Sequence, residues 1–496
     1  MRFLKNLLYS YFAIVVGFVS SIVSVPVIIS QFGNELFSFW SMVFGISLYI
    51  TTASFGVPSA ANVAVAGLHT TEAVKRSVRN AFLFLVIIAI LLAVCGLVYI
   101  IINPNWIHLF GNMSGGNIPV LKISAVLLIL LSLIRLPFTL FQQLFIAFNL
   151  VYIERSYQML LAGLILLMYL LAYVFHVSFL SFTVMVGMAG VITSLAACYH
   201  LLKYIGDMPK NSYVYEEHVT LKGIILQSAP FFQIGIAQAI TWNCGTFVIS
   251  HMMDAATAAP FVVAMKFVIF AVYTFLIVNN IFFPIYSRAY ATGDMATVNR
   301  FYGYALSFLP AVGGLIWIGA LFFYKDIAIL WTGSKEIYTG PLMMLFLGGF
   351  MYFLAFSNSH NILLQTIKAS KISAWITWTE AAVCLTASVF LVNLIGVEGP
   401  AAGVFAATFL TSVFILPKQI KRYTNGKVCF NYMIHLRHFV MVLAPCLLVG
   451  FFAADRLGLA MRILLFMFVC SVYMSLTAFI LPKGTLSDII QLKWKR

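Results

Sequence analysis

Long apolar blocks and short polar breaks alternate along the whole chain, and within a block apolar residues fill every helical face instead of every second position. A block of about 20 such residues is what a helix needs to cross roughly 30 Å of hydrocarbon. Backbone groups in lipid must be satisfied within the structure, and the lack of strand-like alternation favours helices over a β-barrel. The pattern predicts fourteen spans, near 7–30, 36–57, 81–102, 120–148, 156–175, 178–202, 223–250, 257–285, 303–324, 341–365, 372–395, 399–417, 436–454 and 459–481. The expected fold is an all-α polytopic membrane protein. An even number of spans puts both termini on one side.

Composition agrees, with 62% hydrophobic and 9% charged residues. A net charge of +15 raises the question of nucleic acid, and its distribution answers it. With alternate breaks assigned to alternate sides, 22 Lys and Arg fall on the side of the termini, against Lys122, Lys325, Lys335, Arg456 and Arg462 on the other. By the positive-inside rule both termini are expected in the cytoplasm, and the cations report topology, with attraction to anionic lipid headgroups second. Arg2 and Lys5 precede an apolar run too long for a signal-peptide core, so the run reads as the first span. Seven scattered cysteines without a CxxC give no disulfide or metal signal, and no cofactor is expected. Asn112-Met113-Ser114 matches a glycosylation sequon, a motif short enough to arise by chance.

The segments AGLHTTEAVKRSVRNA (66–81) and YATGDMATVNRFYGYA (290–305) match at Val74/Val298, Arg76/Arg300 and Ala81/Ala305. Each follows the second span of a half and reads as a short amphipathic helix leading into the third. Trp106-Ile107-His108-Leu109-Phe110-Gly111 before Pro119 is echoed by Ile329-Leu330-Trp331-Thr332-Gly333 before Pro341. An even number of spans separates the partners, so the repeat is parallel, about an axis along the membrane normal. It predicts two pseudo-symmetric six-helix lobes, 1–205 and 223–422, joined by a cytoplasmic linker at 206–222. An extra helix hairpin follows at 434–482. Matched lobes predict rocking about a central cavity.

A polar-flecked first span with Pro26 near its outer end, then Gly33-Asn34-Glu35, an aromatic-rich second span and SFGVPSA (54–60), resembles the polysaccharide-transport branch of the MOP flippase superfamily. The resemblance covers residues 1–422 and implies a Wzx-type flippase of the bacterial inner membrane. Such a protein moves undecaprenyl-diphosphate-linked oligosaccharide repeat units outward for O-antigen, capsule or exopolysaccharide assembly, beside a polysaccharide polymerase and a chain-length regulator. Many members have twelve spans. The extra hairpin is reminiscent instead of the lipid II flippases, where two added helices form a groove for the lipid tail.

Arg135, Lys266 and Glu380 are the charges deep inside apolar spans. A charge at that depth is costly unless paired or wetted, which marks it as functional. At 1.5 Å per residue Arg135 lies roughly 20 Å from the outer end of its span, and Lys266 and Glu380 roughly 13–16 Å from theirs. Helical phase places Ser124, Arg135, Thr139, Gln142 and Asn149 within about 40° of one another, and Lys266, Tyr273 and Asn280 likewise. Gln227 and Gln238 share a face near Pro230, expected to break its helix. Ser373, Thr377, Glu380 and Cys384 align more loosely. The stripes predict a hydrated cationic cavity lined by Arg135, Lys266, Gln142, Gln238, Tyr273 and Asn280. There Arg offers a bidentate fork and Lys a point charge to diphosphate or acidic sugars. The alternative is that Glu380 neutralises one cation in a buried pair. Glu380 is open between that role and an H+ or Na+ coupling site, since a desolvated pair is not favoured by energy alone.

Elsewhere the plainer reading weighs more. His200 and His360, near cytoplasmic ends, read as hydrogen-bonded interfacial residues. His251 with Asp254 reads as a gate or a loop contact, Trp375 and Trp378 as sugar platforms or packing aromatics, and Gly399 with Gly403 as close helix packing. A multidrug or small-molecule exporter of the same superfamily is the nearest rival, disfavoured by two cations against one acid. A membrane polysaccharide polymerase or ligase needs a sizeable exterior region, and the longest exterior loop, 103–119, is of connector length. No nucleotide-binding loop or catalytic carboxylate pair is present in the sequence, so no enzyme is expected.

Overall fold

The computed structural model describes residues 2–53, 57, 58, 61, 65, 71–110, 118–148, 150–206, 221–367, 369–453 and 455–480. The sequon, Asn149 and nearly all of the expected linker lie outside them. Helices dominate the chain in the order α1 (Arg2–Ala53), α2 (Thr71–Ile102), α3 (Ile118–Leu144), α4 (Val151–Phe175), α5 (Phe179–Gly206), α6 (Leu221–Met252), α7 (Ala259–Ala291) and α8 (Met295–Thr332). Then come α9 (Pro341–Thr366), α10 (Ser370–Ile395), α11 (Gly399–Leu410), α12 (Leu416–Tyr423), α13 (Tyr432–His438), α14 (Ala444–Ala453) and α15 (Leu459–Ile480). Ten stretches of the described residues are long and apolar enough to cross a membrane. Two of these, Phe12–Ser47 and Lys371–Tyr423, each carry two of the expected spans, so the all-α multi-pass architecture read from the pattern holds.

The first two spans are two helices that meet in a kink at Gly33, whose φ of 83° and ψ of 174° are not helical, a conformation only glycine adopts without strain. Two local expectations change. From Thr71 and from Met295, the amphipathic segments before the third and ninth spans form the opening turns of α2 and α8, continuous with the apolar run that follows. Asp294 caps α8 by accepting from the Thr297 amide at 3.0 Å. The Thr297 hydroxyl and amide hold this exposed carboxyl below its usual range. Pro230 sits inside an unbroken α6. A membrane helix can absorb the one backbone hydrogen bond that a proline removes.

Contact density divides the chain into two units, Met1–Asn243 with Ile249–Ala259, and Cys244–Val248 with Pro260–Arg496. In the first, α1 packs on α3 and α4, and α3 on α5. Phe32, Trp40, Phe179 and Phe182 form an aromatic knot at one end, with Trp40 and Phe182 centroids 4.6 Å apart. In the second, α11 packs on α9 and α10, and α8 on α9, around Phe353, Phe405 and Phe409. The C-terminal helices are fastened to α8 by Arg462. Its guanidinium grips the Asp326 carboxylate at 2.7 and 3.1 Å and donates to the Phe322 carbonyl at 2.9 Å. Beside it Asp455 takes the Lys325 ammonium at 2.9 Å and the Tyr338 hydroxyl at 3.2 Å.

Candidate functional site

In the first unit Arg135 projects from the middle of α3 onto α5. Its Nε donates to Ser194 Oγ at 3.2 Å. One turn earlier on α5, a Cβ on Gly190 would stand 3.0 Å from Arg135 Cδ and 3.3 Å from Nη1. The glycine is thus a notch in α5 that admits the guanidinium. Among the described residues no carboxylate pairs with Arg135. Along the same face of α3, Ser124, Thr139 and Gln142 are buried. Thr139 returns its hydroxyl to the Leu136 carbonyl at 2.7 Å, and Ser132 bonds Ser47 of α1. Gln238 on α6 is exposed.

In the second unit Lys266 and Tyr273 are half-buried on α7. Two turns separate them on one face. The Lys266 ammonium has neither a hydrogen bond nor an ion pair with any described residue. The backbone of Asn280 continues α7, but its side chain lies outside the described ones.

Glu380 has a different setting. It is buried on α10, and both carboxyl oxygens are taken by hydroxyls of the neighbouring helix. Thr408 donates to Oε1 at 2.6 Å and Thr411 to Oε2 at 3.2 Å. The α10/α11 pair meets closely because Gly399 and Gly403 have no side chain: a Cβ on Gly403 would lie 2.7 Å from the Ser388 amide nitrogen. That is the packing use of GxxxG. Thr411 opens a π turn, Thr411–Ile415, in which the Leu416 amide reaches back to the Thr411 carbonyl. The turn is braced by His360, fully buried, which takes the Tyr302 hydroxyl at Nδ1 (2.7 Å) and sets Nε2 on the Ser412 carbonyl at 3.0 Å. His360 is therefore a satisfied core histidine. The α10 stripe is buried throughout, and Ser373 donates to Asn361 Oδ1 at 2.8 Å.

The remaining candidates resolve into ordinary contacts. Asp254 caps the turn after α6 through the Thr257 amide at 2.7 Å. His251 Nδ1 lies 3.5 Å from the His108 carbonyl, and His200 pairs with the Tyr157 hydroxyl at 3.1 Å. Trp375 and Trp378 are exposed on α10, so they do not pack between helices. Sequence reasoning missed Gly190 and Ser194 around Arg135, and Thr408 and Thr411 around Glu380. The two threonines, one turn apart in an apolar span, were a readable signal; the glycine was not. No group of three or more potential metal ligands forms among the described residues.

No protein-family model matches the sequence, and no curated protein matches it. Solved structures do match in shape. The lipid II flippase MurJ, in an inward closed conformation, superposes with a TM-score of 0.65 at 14% identity over 95% of this chain and 98% of that one. An inward-facing multidrug resistance MATE family transporter of the MOP superfamily gives 0.65 at 13% identity, over 84% and 99%. A MOP superfamily transporter from Pyrococcus furiosus, described as having a binding pocket of reversed polarity, gives 0.64 at 13% identity, over 86% and 96%. At these identities the likeness is one of fold. The chain has the fold of the MOP superfamily transporters, a multi-pass membrane architecture.

Proposed function

We propose that this protein is a flippase of the bacterial inner membrane. It moves undecaprenyl-diphosphate-linked oligosaccharide repeat units outward for O-antigen, capsule or exopolysaccharide assembly. The observation that carries the reading is the pair of intramembrane cations, Arg135 and Lys266, neither joined to a carboxylate among the described residues. Two uncompensated cations at bilayer depth are expensive, and an anionic substrate repays that cost. Diphosphate suits them, since Arg binds phosphate oxygens by its planar fork and Lys by a mobile charge. Gln142, Gln238, Tyr273 and Asn280 supply neutral hydrogen-bonding groups for sugars. The two six-span lobes, 1–205 and 223–422, would rock to alternate access, with both termini cytoplasmic. A polymerase and a chain-length regulator would take up the exported unit.

Coverage supports a lipid-linked substrate over a drug. The lipid II flippase aligns with 95% of this chain, whereas the two other transporters align with 84% and 86%. A cationic site also repels the cationic compounds that a drug exporter with acidic residues would take. Glu380, hydrogen-bonded by Thr408 and Thr411, is not the partner of either cation in this reading. Deleting the gene and extracting lipids tests the proposal. Lipid-linked repeat units should accumulate in the inner leaflet while surface glycan disappears, and normal surface glycan would overturn it.

A further inference from the structure

Cys244 and Cys384 are 140 positions apart in sequence, yet their thiols meet in the second unit, with Sγ atoms 2.9 Å apart. Both residues are buried, and Ser388 Oγ lies 3.7 Å from Cys244 Sγ. Glu380, Cys384 and Ser388 succeed one another every four residues along one face of α10. Cys244 opens Cys244–Val248, the stretch of α6 that belongs to the second unit, and Asn243 before it belongs to the first. The thiol pair therefore joins the α10 face that carries Glu380 to the point where the chain passes from one unit into the other.

We infer that Cys244 and Cys384 are an oxidisable pair that forms a disulfide between α6 and α10 when a small neutral peroxide reaches them. One sulfur, giving up its proton, attacks the peroxide O–O bond and becomes a sulfenic acid, releasing water. The second sulfur displaces the sulfenic oxygen, which leaves as a second water. Two thiols and one hydrogen peroxide give one disulfide and two waters, and the sulfurs supply both electrons. Burial shields both thiols from charged reagents, so the pair rests reduced and closes only under sustained oxidant. A neutral peroxide enters where charged oxidants are excluded. Once closed, the link fixes the α6 crossing point to α10, and transport stops until a reductant reopens it.

The chemical part stands whatever the substrate; only the transport arm rests on the flippase reading. The protein in its native membrane is treated for hours with hydrogen peroxide, its remaining thiols are alkylated, and it is digested without reductant. Mass spectrometry should find the peptide bearing Cys244 joined to that bearing Cys384. The joined species should vanish with reductant and be absent from Cys244→Ser. Cys244 and Cys384 recovered only as separately alkylated or over-oxidised peptides would overturn the inference. The wild-type measurement needs no variant to fold. In the second arm, oxidant should lower wild-type export several-fold, reversibly with reductant, and leave Cys244→Ser export unchanged. Equal sensitivity of the two proteins would overturn the claim that the link controls transport.

Discussion

Arg135 and Glu380 are charges of opposite sign within apolar helices, and their surroundings differ in kind. Glu380 spends both carboxyl oxygens on hydroxyls of the adjacent helix. Arg135 spends one of its five donors on Ser194, and the structure accommodates its bulk with a glycine notch but neutralises none of its charge. A buried ion whose hydrogen bonds are met inside the protein can be held there as part of the scaffold. One that keeps donors and charge to spare is set up to receive something from outside. The comparison separates a site that is closed from one that is open, and substitutions at each should behave accordingly.

The largest effect is expected at the open site. Arg135→Ala removes a charge-assisted contact to substrate, so export should fall about 10- to 100-fold while membrane insertion and Tm stay near wild type. Arg135→Lys should recover part of it, since the charge returns without the fork. Unchanged export in both Arg135→Ala and Lys266→Ala would break the comparison. The closed site should respond in stability instead. Thr408→Val leaves one oxygen of Glu380 without its donor, at a cost of about 1–3 kcal/mol, read as a lower Tm, and Thr408→Ser should restore it. A third, smaller effect sharpens the role of the notch. Gly190→Ala presses on the Arg135 side chain and should lower export by about fivefold, roughly 1 kcal/mol, with little change in Tm. Smallest of all, Ser194→Ala removes a single neutral donor-acceptor contact. It should cost no more than about 1 kcal/mol in export assays, and a loss as large as that of Arg135→Ala would make Ser194 part of the substrate contact.

The spans were legible because hydrocarbon imposes length and apolarity residue by residue, and the α3 stripe because helical phase follows from spacing alone. Ser124, Thr139 and Gln142 are buried on the face where that phase placed them. What was hidden depends on neighbours distant in sequence. Nothing local says that Gly190 will lie beside Arg135, or that Thr408 will face Glu380 across 28 positions. Nor does composition distinguish a proline that breaks a helix from Pro230, which α6 absorbs. The break at Gly33 shows the reverse case: the glycine and its polar neighbours were visible between two apolar runs, and the backbone leaves the helix there.

The π turn at Thr411–Ile415 has a consequence for tolerance to insertion and deletion. It holds one residue more than regular helix pitch would use. Because the π turn carries its extra residue through about the same rotation as one residue fewer of regular helix, removing one residue there would restore that pitch, leave Thr408 facing Glu380 and keep the residues beyond on nearly their present faces. Leu416, Pro417 and Ile420, which α12 buries, would stay buried. A one-residue deletion in the regular turns of α11 would instead swing everything beyond by about 100°. The bulge is therefore the place in this helix where a one-residue deletion should be tolerated best.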